Sequence, residues 1–192
     1  MQNHQNIEAV AVGASAGGVE ALILLLDALP ADFAPAVFIV LHLPKGRESM
    51  LPQLFSRRCA LSVKEAEDNE AIKAGTVYLA PADYHLLIEP EKSLSLSLDE
   101  PQHYSRPSID LLFESAAYAY RERLLGIILT GASMDGASGL QTVRALGGLA
   151  WVQDPDEAIA SAMPAAAISL AGADHVLPVK EIAAKLSSIR NV

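Results

Sequence analysis

The chain has 192 residues, a net charge of −9 and 51% hydrophobic residues, which frames a single well-buried domain over residues 1–192 rather than a disordered or divided chain. No apolar run approaches the roughly 20 residues that span a bilayer, and no lysine or arginine precedes the early apolar stretch as a secretory leader requires. One cysteine, Cys59, excludes an internal disulfide and a cysteine-based metal cluster, and the acidic balance disfavours nucleic acid as a partner. The expected location is the cytoplasm.

In chain order, Glu8–Val12 is predicted as a strand, followed by a Gly/Ser/Ala turn over Gly13–Gly18. A helix is predicted over Val19–Leu29, with Leu22, Leu25, Leu26 and Leu29 at helical spacing before Pro30. Ala36–Leu41 (AVFIVL) is a continuous apolar run, as in a strand buried on both faces of a parallel sheet. The spacing then predicts a helix over Glu48–Cys59 and short strands at Thr76–Ala80, Tyr84–Ile88 and Ser93–Leu98. The last of these alternates with period two, so one face of it should be wet. A helix over Ser108–Glu122 follows Arg106-Pro107, and a second buried strand spans Gly126–Thr130. Helix Gly136–Leu146, strand Ala150–Val152 and helices Pro164–Ala171 and Val179–Ile189 complete the chain. Strands and helices alternating at both ends predict a doubly wound, mainly parallel α/β sheet in three layers, with a small antiparallel insertion at one edge.

The turn Val12-Gly13-Ala14-Ser15-Ala16-Gly17-Gly18 lies between a buried strand and a helix, where such sheets place ligands. Taken alone it supports three readings: a nucleophile turn presenting Ser15, a dinucleotide fingerprint with serine for its middle glycine, or a tight turn that only packs helix on strand. The second strand separates them. A dinucleotide site needs an acid at its end to bind the ribose, whereas this chain has His42, which can take a proton from a serine on a neighbouring strand end. Asp135, after the strand Gly126–Thr130, can act as a helix cap or can accept from the His42 imidazole and orient it. Ser15, His42 and Asp135 thus form a candidate triad, and Ala16 and Gly17, whose N–H groups open the first helix, are candidate oxyanion donors.

These residues resemble the catalytic domain of the CheB family, the protein-glutamate methylesterases of chemotaxis receptors. The likeness runs through Val12–Leu22 (VGASAGGVEAL), His42-Leu43-Pro44, Val63–Asp68, Val77–Pro81, Arg106–Phe113 (RPSIDLLF), Ile128–Leu140 (ILTGASMDGASGL), Met163–Ile168 and the terminal helix. The family's catalytic serine, histidine and aspartate fall on Ser15, His42 and Asp135. The chain departs from the family pattern at Ala16, Ala132 and Ala162, where Thr, Met and Gly are usual, and no N-terminal receiver domain is expected in it.

The resemblance implies a serine esterase that hydrolyses glutamyl methyl esters on the cytoplasmic helical bundle of methyl-accepting chemoreceptors, releasing methanol. Glutamine deamidation is implied as a second activity, with no metal or organic cofactor. A separate receiver or methyltransferase protein is an expected further partner. Lys45 and Arg47, in a basic block over residues 45–64 that also holds Arg57, Arg58 and Lys64, are candidate contacts to acidic receptor residues. Arg106, with Ser108 and Asp110, is assigned to the rim of the site, and Met134 to its substrate side. The competing readings are a catalytically weak receptor-binding module of the same fold, which would release no methanol, and a nucleotide-binding domain, against which His42 counts. His4, His85, His103 and His175 are discounted as catalysts, with His103 and His175 placed in loops without partners. Cys59 is read as a buried, inert thiol, and Tyr118 and Tyr120 as partly exposed.

Overall fold

The computed structural model describes residues 6–42 and 50–189. Seven strands form one parallel sheet in the order β3-β4-β2-β1-β7-β8-β9. Their ranges are β1 Ala9–Ala14, β2 Ala36–Leu41, β3 Ser62–Glu65, β4 Thr76–Leu79, β7 Leu124–Ile128, β8 Leu149–Gln153 and β9 His175–Leu177. Two further strands, β5 (His85–Ile88) and β6 (Leu94–Ser97), pair antiparallel as a separate ribbon. The helices are α1 Gly18–Asp27, α2 Leu51–Ser56, α3 Ile109–Tyr120, α4 Ala137–Ala145, α5 Ala162–Ala171 and α6 Val179–Ser187.

The central strands β1, β2 and β7 are buried along their whole length because both sheet faces are covered. Side chains alternate between two cores, as the pleat requires. Val10, Val12, Val37, Ile39 and Leu41 pack with the Leu22, Leu25 and Leu26 stripe of α1 and with Ile182 and Leu186 of α6. Ala9, Ala11, Phe38 and Val40 face Ile109, Leu112 and Phe113 of α3, Leu140 of α4, Met163 of α5, and Leu86 and Leu94 of the ribbon. Continuous apolar runs therefore read as strands in this chain because helices cap both sides of them.

The chain runs from β1 to β2, out to the edge strand β3 and back to β4 between them, then crosses to add β7 on the other side of β1. That reversal makes a topological switch point at the carboxyl ends of β1 and its neighbours, the position where open α/β sheets bind ligands.

Several expectations are corrected. The antiparallel pair packs over α3 on one face instead of extending an edge of the main sheet, which the expected strand at Thr76–Leu79 joins. Within that pair Leu94 is buried while Ser95 and Ser97 are partly exposed, as the alternation requires. The strand expected at 126–130 begins two residues earlier, at Leu124. Of the helix expected over 48–59, Leu51–Ser56 is helical, and residues 57–59 have left it. Strand β3 was not predicted because Ser-Val-Lys-Glu carries no apolar alternation, and β9 is three residues long. Each is an edge strand, and pairing with one neighbour stands in for local propensity. His175 is therefore in a strand, edge-on to Trp151 at 5.7 Å, rather than in a loop. Tyr120, 3% exposed, is a core residue beside Phe38, while Tyr118, two residues earlier and so on the opposite side of the helix, is exposed.

Candidate active site

The parallel register pairs Ala14 with Leu41, so Ser15 and His42 are the next residues out on adjacent strand ends. His42 N–H donates to Ala14 O (3.0 Å), and Ser15 N–H donates to Thr130 O (2.9 Å), which carries the pairing past the ends of β1 and β7. Three loops are thereby tied side by side. His42 Nε2 lies 2.9 Å from Asp135 Oδ2, with 12% of the histidine side chain exposed and none of the aspartate. Ser15 is partly exposed beside them and makes no hydrogen bond to His42 here.

Among the carboxylates of the described residues, Asp135 accepts the most hydrogen bonds. Its carboxylate accepts from Ser108 Oγ (3.0 Å), Ile109 N–H (2.7 Å) and Asp110 N–H (3.0 Å) besides His42. The helix it caps is therefore α3, not the α4 that follows it in sequence. Asp110, in the first turn of α3, returns the arrangement: its Oδ1 accepts from Gly136 N–H (2.9 Å) and Gly139 N–H (2.6 Å) at the start of α4. Two helix N-termini thus exchange carboxylate caps, each satisfying orphan amides of the other and placing negative charge at a positive helix end. Small residues allow this approach. A Cβ on Gly139 would lie 2.7 Å from Phe113 Cβ, and one on Gly13 would collide with Ile109 Cγ2.

The two carboxylates are driven apart in acidity. Burial is the largest influence on Asp135 and opposes ionisation, but the hydrogen bonds from His42, Ile109 and Asp110 outweigh it and hold the carboxyl below its ordinary value. Asp110 is raised, first by burial and further by the charge of Asp135, against the amides of Gly139 and Gly136 and the nearby His103. An ionised Asp135 accepts only, so the neutral imidazole presents its N–H at Nε2 and leaves Nδ1 as the free base.

Sequence reasoning placed Ser108 and Asp110 on the rim, whereas the structure buries both and makes them the cradle of Asp135. The available signal was a serine after proline at the head of an apolar periodic run, an N-cap pattern; Ser108 Oγ indeed accepts from Leu111 N–H (3.4 Å). His85 is fully buried and supports this cap: its Nδ1 accepts from Ser108 N–H (3.1 Å), and its Nε2 donates to Glu100 O (3.2 Å). His103 does have a partner, Asp110 Oδ2 at 3.3 Å. It is carried on a tight turn closed by reciprocal Gln102–Ser105 backbone hydrogen bonds.

Arg106 donates to Asp83 Oδ1, Leu98 O and Asp99 O, holding the segment after β6 against the turn before β5. Met134 is 66% exposed next to buried Asp135, and Ala16 is exposed at the mouth of α1. Lys45 and Arg47 lie outside the described residues. Arg57 and Arg58 are exposed just past α2, and Cys59 is buried, with burial raising its thiol pKa. Among the described residues no group of His, Cys, Asp and Glu is arranged to hold a metal ion, and no helix is long and apolar enough to cross a membrane.

The family model described as CheB methylesterase matches residues 10–186. The chain belongs to the CheB methylesterase family. A relative from Leptospira interrogans serovar copenhageni, named as a putative protein-glutamate methylesterase/protein-glutamine glutaminase, is 45% identical over 93% of this chain and 92% of its own length. One from Symbiobacterium thermophilum, named protein-glutamate methylesterase/protein-glutamine glutaminase, is 38% identical over 91% of this chain but 48% of its own length. The CheB methylesterase catalytic domain of Thermotoga maritima, known from a crystal structure, superposes with a TM-score of 0.90 at 33% identity, covering 96% of this chain and 99% of that one. The three-layer sheet described above is the CheB catalytic fold.

Proposed function

We propose that this CheB-family chain is a serine esterase that hydrolyses protein glutamyl methyl esters on the helical cytoplasmic bundle of chemoreceptors and deamidates glutamines at such sites. Ser15 Oγ attacks the ester carbonyl while His42 Nδ1 takes its proton, and Asp135 holds the imidazolium that forms. The oxyanion is met by Ala16 and Gly17 N–H at the head of α1, where free amides and the helix dipole favour negative charge. Methanol leaves with the proton from His42, and water then cleaves the acyl-Ser15 ester by the same route, restoring the serine and releasing glutamate. With a glutamine substrate, ammonia is the leaving group.

The observation that carries this reading is the 2.9 Å contact of His42 Nε2 with a buried, four-fold hydrogen-bonded Asp135, beside Ser15 on the adjoining strand end. Capping α3 accounts for three of the four hydrogen bonds on this 0% exposed carboxylate, and the fourth, to the partly exposed ring of His42, is the one that serves the proposed chemistry. The Ser15–His42 hydrogen bond is the step left for the docked substrate to close, as is common for catalytic contacts. The exposed Met134 and Ala16 flank that position, and Lys45 and Arg47 follow His42 in sequence, where they would meet acidic residues of the receptor. A separate receiver or methyltransferase protein would act on this unit from outside, in the cytoplasm.

The test is methanol release from methylated receptor membranes. Ser15→Ala should abolish it while leaving the melting temperature within a degree or two of wild type, since one partly exposed hydroxyl is removed. Undiminished release would reject the serine mechanism.

A further inference from the structure

Thr130 follows β7 by two residues and is 1% exposed, and all of its polar atoms bond to the nucleophile turn or its supports. Its N–H donates to Gln153 Oε1 (2.8 Å), and its carbonyl accepts from Ser15 N–H (2.9 Å). Its Oγ1 accepts from Ala160 N–H (2.9 Å) and donates to Ala16 O (2.8 Å). The hydroxyl has one proton, and the alternative acceptor, Ala160 O at 3.4 Å, is too distant to compete with the shorter bond. Gln153 is fixed in turn, its Nε2 donating to Glu157 Oε2 (2.9 Å), an atom that also accepts from Val179 N–H (3.0 Å).

The consequence lies in the geometry of one peptide group. Ala16 C=O and Gly17 N–H belong to the same planar trans unit, so they point to opposite sides. Tethering the carbonyl to the buried Thr130 hydroxyl turns Gly17 N–H away from Thr130. Ile159 holds the same turn from another side: a Cβ on Gly17, whose φ is +78°, would lie 2.7 Å from Ile159 Cβ. The neighbouring amides are already engaged, Ser15 N–H with Thr130 O and Gly18 N–H with Ser15 O (2.7 Å). Ala16 and Gly17 remain as donors for a ligand, and only the Gly17 amide has its plane set by a side chain.

We infer that Thr130 is a positioning residue for the esterase reaction, aiming Gly17 N–H at the oxyanion by holding Ala16 O. The inference rests on the Ser15 esterase reading and adds to it the residue that sets the oxyanion donor. Thr130 itself touches no reacting atom. Its loss should therefore lower the rate of the chemical step without weakening ground-state binding.

The experiment compares Thr130→Val, which keeps shape and removes the hydroxyl, with Thr130→Ser, which restores it, using methanol release from methylated receptor membranes. Removing an oxyanion donor outright costs about 10²–10³ in rate, so misaiming one should lower kcat about 10- to 100-fold in the valine variant, with KM within about twofold of wild type. The serine variant should return to within about threefold of wild-type kcat, because the same tether is available. A peptide trifluoromethyl ketone that forms a tetrahedral adduct at Ser15 should weaken against the valine variant by the same factor as kcat/KM. Retention of kcat in the valine variant, or failure of serine to restore it, overturns the proposal. If the valine chain does not fold, Thr130→Ala carries the same comparison without added bulk. Ser15→Ala is run in parallel: activity surviving there overturns the serine reading, whereas a dead Ser15→Ala with a fully active valine variant overturns only the role of Thr130.

Discussion

Asp135 and Asp110 show how neighbours of one chemical type divide two tasks. Asp135 collects four donors and stays ionised; Asp110, as deeply placed, is pushed toward its neutral form by burial and by the charge of Asp135. Opposite shifts give opposite linkage to pH. Asp135, with its folded pKa depressed, adds stability above the ordinary aspartate value of 3.8 and loses it as pH falls through the lower folded value. Asp110, with its folded pKa raised, favours the fold fully below 3.8 and ceases to do so as pH rises through the higher value. Melting temperatures measured from acid to neutral pH should therefore show wild type gaining on Asp135→Asn as pH rises and falling back against Asp110→Asn. Parallel trends for the two variants would refute the division. Asp135→Asn should also lower kcat on the order of 10⁴-fold, since an amide in that place favours the wrong imidazole tautomer; the check is steady-state methanol release.

At the scale of elements, the site exists because helix ends meet strand ends with almost no side chain between them. The first turn of α3 lies on Gly13 of β1, and Ile109 there both donates its N–H to Asp135 and fills the space a Gly13 side chain would need. Gly13→Ala should accordingly destabilise the protein by about 1–3 kcal/mol, the range for overpacking a closed core. Paired with Ile109→Ala, which removes the obstructing methyl groups, it should cost less than the sum of the two single changes, as expected of residues in contact. Urea denaturation of the four chains measures this, and strict additivity would show that the two do not press on each other. The exchange of caps between α3 and α4 was not legible in advance. Aspartate before a helix predicts a cap on that helix, and only the packing of α3 against α4 shows that each acid serves the other's amides.

At the scale of the whole molecule, the proposed triad is gathered at the carboxyl edge of the sheet, and the opposite edge is closed by structural ties. Glu8, before β1, accepts from Arg123 Nη1 and from Lys92 Nζ, and Lys92 lies 5.0 Å from the centre of the Tyr120 ring. The Lys92 hydrogen bond is the largest influence lowering the Glu8 pKa, but both cations are more than a third exposed. Glu8→Gln should therefore cost less than about 1 kcal/mol by denaturant titration and leave kcat unchanged; a loss of turnover would mean the two edges are coupled. The amino-acid sequence by itself determined the layered α/β architecture, because apolar runs of strand length alternating with amphipathic helices bury both faces of a parallel sheet under helices. It also put forward Ser15, His42 and Asp135 as a candidate triad, because small turns after buried strands mark strand ends, where reactive groups collect. What fell to the tertiary structure was everything set by contact between segments distant in the chain: the pairing of the short edge strands, the burial of Tyr120 and His85, the swapped carboxylate caps, and the hold of Thr130 on the Ser15–Ala16 turn. Hydrogen-bond partners drawn from remote segments leave no periodic trace in either one, since the geometry that selects them appears only when the sheet and its helices have closed together.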